Sequence, residues 1–170
     1  MLTKKSNKGD QRFVKDSQVE MTQLVLPNDT NQLGNLLGGR LMEWMDIAAA
    51  ISAQRHSNRI CVTAAVDYLV FHQPIRLGEV VTLHASVNRV FETSMEVGVQ
   101  VVAENQLTGE RKTANTAYLT FVAVDERNNP VRIPPVVPQS EAEKRRYEEA
   151  MVRRKHRLNS HRSENKSDQL

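Results

Sequence analysis

Among the residues whose chemistry could matter, Asp46 stands first. It sits in the stretch Arg40 to His56, which holds neither Gly nor Pro and is rich in Leu, Met, Ala and Ile, so the stretch reads as one long helix. Leu41, Trp44, Met45, Ala48 and Ser52 fall on one side at helical spacing. Met42, Asp46, Ala49, Ala50 and Ala53 form a second apolar side, with Glu43, Ile47 and Gln54 between. A carboxylate set among such residues is poorly solvated, and burial raises its pKa from about 3.9 towards the range of a useful base. Gly38-Gly39, just ahead of the helix, can present backbone N–H groups, backed by the positive end of the helix dipole, to an oxygen that gains negative charge. A base beside such a helix end suits the attack of water, or of the carboxylate itself, on a carbonyl carbon. The plain readings stand beside this one: a surface or capping Asp, and a glycine turn before a helix.

The elements that must position these groups follow in order. Val19 to Leu26 alternates as a half-buried strand and stops at Pro27. Pro27 to Gly39 is loop material, with Asn and Asp that favour turns and glycines that let backbone come close. After the helix come four β-branched, mostly alternating runs: Ile60 to Phe71, Glu79 to Phe91, Ser94 to Leu107 and Arg111 to Val124. Gln73-Pro74 with Gly78, Glu92-Thr93 and Thr108-Gly109 supply their turns. Strands of about 12 residues exceed the usual length, which predicts a long, curved antiparallel sheet of about five to six strands wrapped round the helix. The run Ile133 to Pro138 closes the domain, because proline cannot occupy a central ladder. Ser140-Glu141-Ala142-Glu143 then opens a last helix to about Arg157. The division expected is a polar, disordered or weakly attached lead-in at 1–17, an α+β domain at 18–138, and a basic helix with a disordered tail at 139–170.

Composition narrows the classes. With 170 residues, 39% hydrophobic and 25% charged, one globular domain is expected rather than two. No apolar run approaches the roughly 20 residues that cross a bilayer, and Met1 to Asp10 is polar, so a cytoplasmic protein without membrane insertion is expected. The single cysteine, Cys61, and five scattered histidines predict neither an intramolecular disulfide nor a metal site. The formal net charge of +3 is local. Residues 144–170 carry nine Lys/Arg against four acids, which leaves the rest of the chain with fourteen against sixteen. A basic tail without interleaved aromatics or a reading module gives no nucleic-acid partner.

One curved antiparallel sheet round one buried helix is the hotdog architecture, and the ordered motifs narrow the match. Leu26-Pro27-Asn28-Asp29-Thr30-Asn31, Gly34-Asn35-Leu36-Leu37-Gly38-Gly39, Met45-Asp46-Ile47, Arg55-His56, Val62-Thr63-Ala64 and Phe71-His72-Gln73-Pro74 together resemble the acyl-CoA hydrolase family of hotdog thioesterases, which includes cytosolic acyl-CoA thioester hydrolases. The resemblance covers roughly residues 18–150. It implies hydrolysis of acyl-CoA to a free acid and CoA with no metal or redox cofactor. It also implies a homodimer with sites at the subunit interface, and commonly a hexamer of three dimers.

By the same resemblance Asp46 is the catalytic acid. Asn31 is the amide that joins it from a different subunit, Thr63 is a supporting hydroxyl, and Asn35 is a second amide candidate. A thiol of pKa about 8.5 leaves as thiolate without an acid's help, so so small a kit suffices. Gly38 and Gly39 serve as oxyanion donors. Arg89, Thr93 and Ser94 lie where the resemblance puts the pantetheine and nucleotide arm, with Arg55, His56 and the last helix as weaker candidates for the phosphates. Cys61 reads as a small buried hydrophobe, and His72 and His84 as structural or exposed. A protein that binds acyl-CoA or lipid without cleaving it is the rival reading, and Asp46 tells against it, since a sensor needs no desolvated carboxylate at a thioester.

Overall fold

Long alternating strands must bury one face each, and here a single helix satisfies all of them. The computed structural model describes residues 11–67, 69, 71 and 73–167, with side chains through residue 160; His72 lies outside the described residues. In chain order the elements are β1 (Arg12–Phe13), β2 (Val19–Leu24), α1 (Gly38–Ser57), β3 (Ile60–Val66), β4 (Val80–Phe91), β5 (Ser94–Glu104), β6 (Arg111–Val124), β7 (Val136–Val137) and α2 (Glu141–Ser167). The five long strands form one curled antiparallel sheet in the order β2-β4-β5-β6-β3. This is the expected hotdog fold. α1 touches all five strands.

The core lies between α1 and the concave face. Val81, Leu83, Ala85 and Val87 of β4 alternate inwards, as do Met95, Val97, Val99 and Val101 of β5 and Ala117, Leu119 and Phe121 of β6, and all are buried. Ala48, Ala49 and Ala53 on α1 are fully buried too; their small side chains let helix and sheet approach closely. Truncating a fully buried aromatic such as Phe121 to alanine is expected to cost about 3–5 kcal/mol. At its far end α1 stops at Asn58, in the left-handed region at φ 51° with its N–H on the Gln54 carbonyl, a position asparagine tolerates.

Several expectations need correction. Within the supposed lead-in, residues 12–17 are firmly attached: Val14 and Ser17 are buried, and Ser17 Oγ donates to the Val14 carbonyl and accepts the Val87 N–H at 3.0 Å. β1 pairs in parallel with β7. The proline-rich exit therefore does carry a ladder, on the two valines between its prolines. The strand expected over Ile60 to Phe71 ends at Val66, and α2 runs ten residues past Arg157 rather than giving way to a tail. The second apolar side of α1 is only partly covered. Ala49 and Ala53 are buried, whereas Met42 is exposed; Ile47, between the two sides, and Ile51 are exposed too, as are Ile60, Val62 and Val66 on the edge strand β3.

Candidate active site

Asp46 lies on α1, on the side that turns towards β3. Its Oδ1 accepts a 2.7 Å hydrogen bond from Thr63 Oγ1, and Oδ2 has no protein partner among the described residues. Thr63 reaches it from a kink in β3: the pairing register with β6 jumps between Thr63 and Ala65, and such a bulge re-aims the side chains beside it. The two residues border a cleft of about 380 Å³ walled mainly by Met42, Met45, Val66, Leu69, Ala117 and Leu119. Asp46 is half-buried rather than enclosed. Met42, one turn before it on the same side of α1, is exposed.

The start of α1 reaches this cleft at Gly39. Gly38 and Gly39 are not ahead of the helix but form its first two positions, and the capping residue, Leu37, offers no side-chain acceptor. The first N–H groups of a helix have no intrahelical acceptor, and Gly39 borders the cleft. A side chain at Gly38 would meet the Phe71 ring at 3.3 Å, so glycine there permits the ring to close against the helix start. Asp29 ties the preceding loop to the helix. It accepts the Leu26 N–H with one oxygen and pairs with Arg40 Nε at 3.0 Å with the other, while its carbonyl accepts the Leu37 N–H.

The remaining expected residues lie elsewhere. Asn31 turns its carboxamide into its own loop, where Oδ1 accepts the N–H groups of Leu33 and Asn35 at 2.9 and 3.2 Å. Neither Asn31 nor Asn35 borders the cleft of its own chain. Arg89 is drawn towards α2: its guanidinium donates to the Tyr147 carbonyl and stacks 4.0 Å from the Tyr147 ring. Thr93 lies in the Glu92-Thr93 turn between β4 and β5 and Ser94 opens β5, with the Thr93 carbonyl accepting the Ala123 N–H and Ser94 Oγ accepting from Arg154 at 3.5 Å. Arg55 is engaged by the Gln18 carbonyl. His56 is wholly buried with Nε2 at 2.8 Å from the Pro134 carbonyl, out of reach of a phosphate in solution.

Cys61 is buried against Ser57, and burial pushes its thiol up from the ordinary value, which makes it a poor nucleophile. His84 is about half exposed and lies 3.4 Å from Glu20. Among the described residues no group of three His, Cys, Asp or Glu is placed to hold a metal, and no helix is long and apolar enough to cross a membrane. One residue of the cleft was overlooked in the sequence. Glu43 borders it, paired with Arg40 at 2.7 Å, and its position three residues before Asp46 puts it on the same helical face.

Comparison with known proteins agrees with this architecture. Residues 33–110 match the family model of the thioesterase superfamily. The chain is 45% identical to a Bacillus subtilis protein named uncharacterized acyl-CoA thioester hydrolase YkhA, over 87% of this chain and 86% of that one. A mammalian relative, the cytosolic acyl coenzyme A thioester hydrolase of rat, is 37% identical but is matched over only 36% of its length. Among solved structures, an apo-hexameric acyl-CoA thioesterase superposes with a TM-score of 0.86 at 41% identity, covering 89% of this chain and 97% of that one. An acyl-CoA hydrolase of Staphylococcus aureus, solved with butyryl coenzyme A, coenzyme A and coenzyme A disulfide, gives 0.85 at 34% identity, covering 92% and 95%. Variants of that enzyme with an Asp, a Thr and an Asn each replaced by alanine have also been solved.

Proposed function

The chain belongs to the acyl-CoA thioester hydrolases of the thioesterase superfamily, and from that premise we propose that it hydrolyses acyl-CoA to a carboxylic acid and CoA through the Asp46 cleft. The observation that carries the reading is a carboxylate with one oxygen held by Thr63 and the other without a partner among the described residues, at an apolar cleft that Gly39 at the start of α1 borders. Asp46 Oδ2 takes a proton from water as the water oxygen attacks the thioester carbon. The carbonyl oxygen gains charge opposite the free N–H groups at Gly38 and Gly39, the C–S bond breaks, and the sulfur leaves as thiolate. Direct attack by Asp46, giving a mixed anhydride that water then cleaves, uses the same geometry. Neither route calls for a metal or redox cofactor. The three residues replaced in the Staphylococcus aureus enzyme follow the spacing of Asn31, Asp46 and Thr63, which supports their assignment as a set.

Asn31 completes the site from a second subunit, for its own chain keeps it away from Asp46. Val66 on the unpaired edge strand β3 and Met42 of α1, both exposed at the cleft, together with Ile60 and Val62 exposed on the same strand, suit a homodimer. The hexameric relative supports three such dimers. We place the enzyme in the cytoplasm and in fatty-acid metabolism, in keeping with the cytosolic rat relative. The test is thiol release from a series of acyl-CoAs, together with mixing of inactive N31A and D46A proteins. Recovered activity after subunit exchange supports a shared site, and none after verified exchange argues for sites within one chain.

A further inference from the structure

The C-terminal helix reaches the cleft by an indirect route. Asp67 directly follows β3. Val66 before it and Leu69 after it both stand in the cleft wall, and the segment goes on to Phe71, which packs on Gly38. Asp67 itself is turned to α2: its Oδ1 accepts a 2.8 Å hydrogen bond from Arg157 Nη1, and the two side chains are only 16% and 14% exposed. Its backbone N–H donates 2.9 Å to the Tyr118 carbonyl on β6. One turn earlier on α2, Arg153 grips Glu96 with two hydrogen bonds of 2.7 and 3.0 Å, so the helix that carries Arg157 is itself fixed to the sheet. In extended chain, neighbouring side chains point to opposite faces. A carboxylate held towards α2 therefore sets Val66 towards the cleft.

We propose that Arg157 is a positioning residue for acyl-chain selection, acting through Asp67 to set where Val66 and Leu69 stand in the cleft wall. This rests on the acyl-CoA reading above. The charge is partly buried at both ends, so loss of either partner leaves the other desolvated and the segment untied. Nothing links Arg157 to Asp46 directly, so the chemistry on the shortest substrate is untouched.

The test compares the full chain with R157Q, D67N, the double variant and K155Q, which alters an exposed lysine on the same helix. Two quantities are read: kcat and KM over straight-chain acyl-CoAs from acetyl to palmitoyl, and amide exchange of the peptide spanning residues 66–71. Both single variants are expected to change the long-to-short ratio of kcat/KM on the order of fivefold, through KM, with the double variant no worse than either. Acetyl-CoA turnover and K155Q stay at wild-type level, and exchange at 66–71 speeds up in the same three variants. An unchanged ratio, or effects that simply add, overturns the inference. If R157Q does not fold, the isosteric D67N carries the same test. If the wild-type protein cleaves no acyl-CoA, the reading of the activity fails instead. Exchange then decides for Arg157 alone, faster exchange in the variants supporting its hold on the segment and unchanged exchange refuting it.

Discussion

Two carboxylates on opposite faces of the same sheet show how surroundings assign different work to one functional group. Glu96 points to the convex face and is completely buried. Arg153 holds both its oxygens, Asn88 Nδ2 donates at 3.0 Å, and the Arg153 guanidinium lies 3.6 Å from the centre of the Tyr118 ring. Gly98 has to be glycine beneath this cluster, since a Cβ there would stand 2.7 Å from Asn88 Nδ2. Asp46, on the concave side, has among the described residues one hydroxyl partner, with its other oxygen unpartnered, and borders an apolar cleft. A carboxylate saturated by permanent partners fixes structure. One left with an open lone pair is available to water or substrate.

Replacing each carboxylate's surroundings in turn separates these roles. The largest effect is expected from D46N, which keeps the fold and oligomer but lowers turnover on the order of 1000-fold in a thiol-release assay. A rate within a factor of ten of wild type would reduce Asp46 to a structural group like Glu96. R153M strips Glu96 of its cation and leaves a buried charge unpaired, which is expected to cost about 3 kcal/mol or more in the urea unfolding curve. Turnover per folded molecule should stay near wild type, and a fall comparable to that of D46N would erase the distinction between the faces. T63V removes the single donor to Asp46 and is expected to slow turnover roughly tenfold while shifting stability by less than about 1 kcal/mol. A loss of stability with no loss of rate would make that hydrogen bond structural.

The smallest effect concerns a third buried polar group. Burial pushes His56 below its ordinary value of 6.5, the Arg12 charge adds to this, and the Pro134 carbonyl opposes it. The unfolded chain therefore takes up a proton at a pH where folded His56 does not. Its contribution to stability is full above 6.5 and is lost as pH falls below that towards the lowered folded value. Melting temperatures recorded from about pH 7.5 to about pH 5 should fall in wild type and fall less in H56Q; parallel curves would show that His56 is not the group responsible.

How far the sequence could be read depended on the distance between partners. α1 and β6 were legible because their periodicity is local and uninterrupted; Asp46 stood out as a charge in an alanine-rich helix, and its catalytic role was what the family resemblance implied. The lead-in was misread because its hold is a two-residue strand and one serine hydroxyl, Ser17, whose partner Val87 lies 70 residues away. The partners of Arg153 and Arg157 on the basic last helix could not be read for the same reason. Their acids, Glu96 and Asp67, are 57 and 90 residues distant, and no helical or strand period connects them. The hold of Arg89 on the Tyr147 carbonyl, 58 residues away, is equally non-local.

The amino-acid order alone settled the central helix, the four long strands that follow it in outline, and that a carboxylate sits midway along that helix, since these follow from side-chain type and short-range spacing. Tertiary structure decided the rest. It chose which arginines face partners and which face water, it brought Thr63 onto Asp46 through a kink in β3, and it turned Asn31 away from the cleft of its own chain. These depend on sheet register and helix docking, where groups far apart in the chain compete for the same few hydrogen bonds.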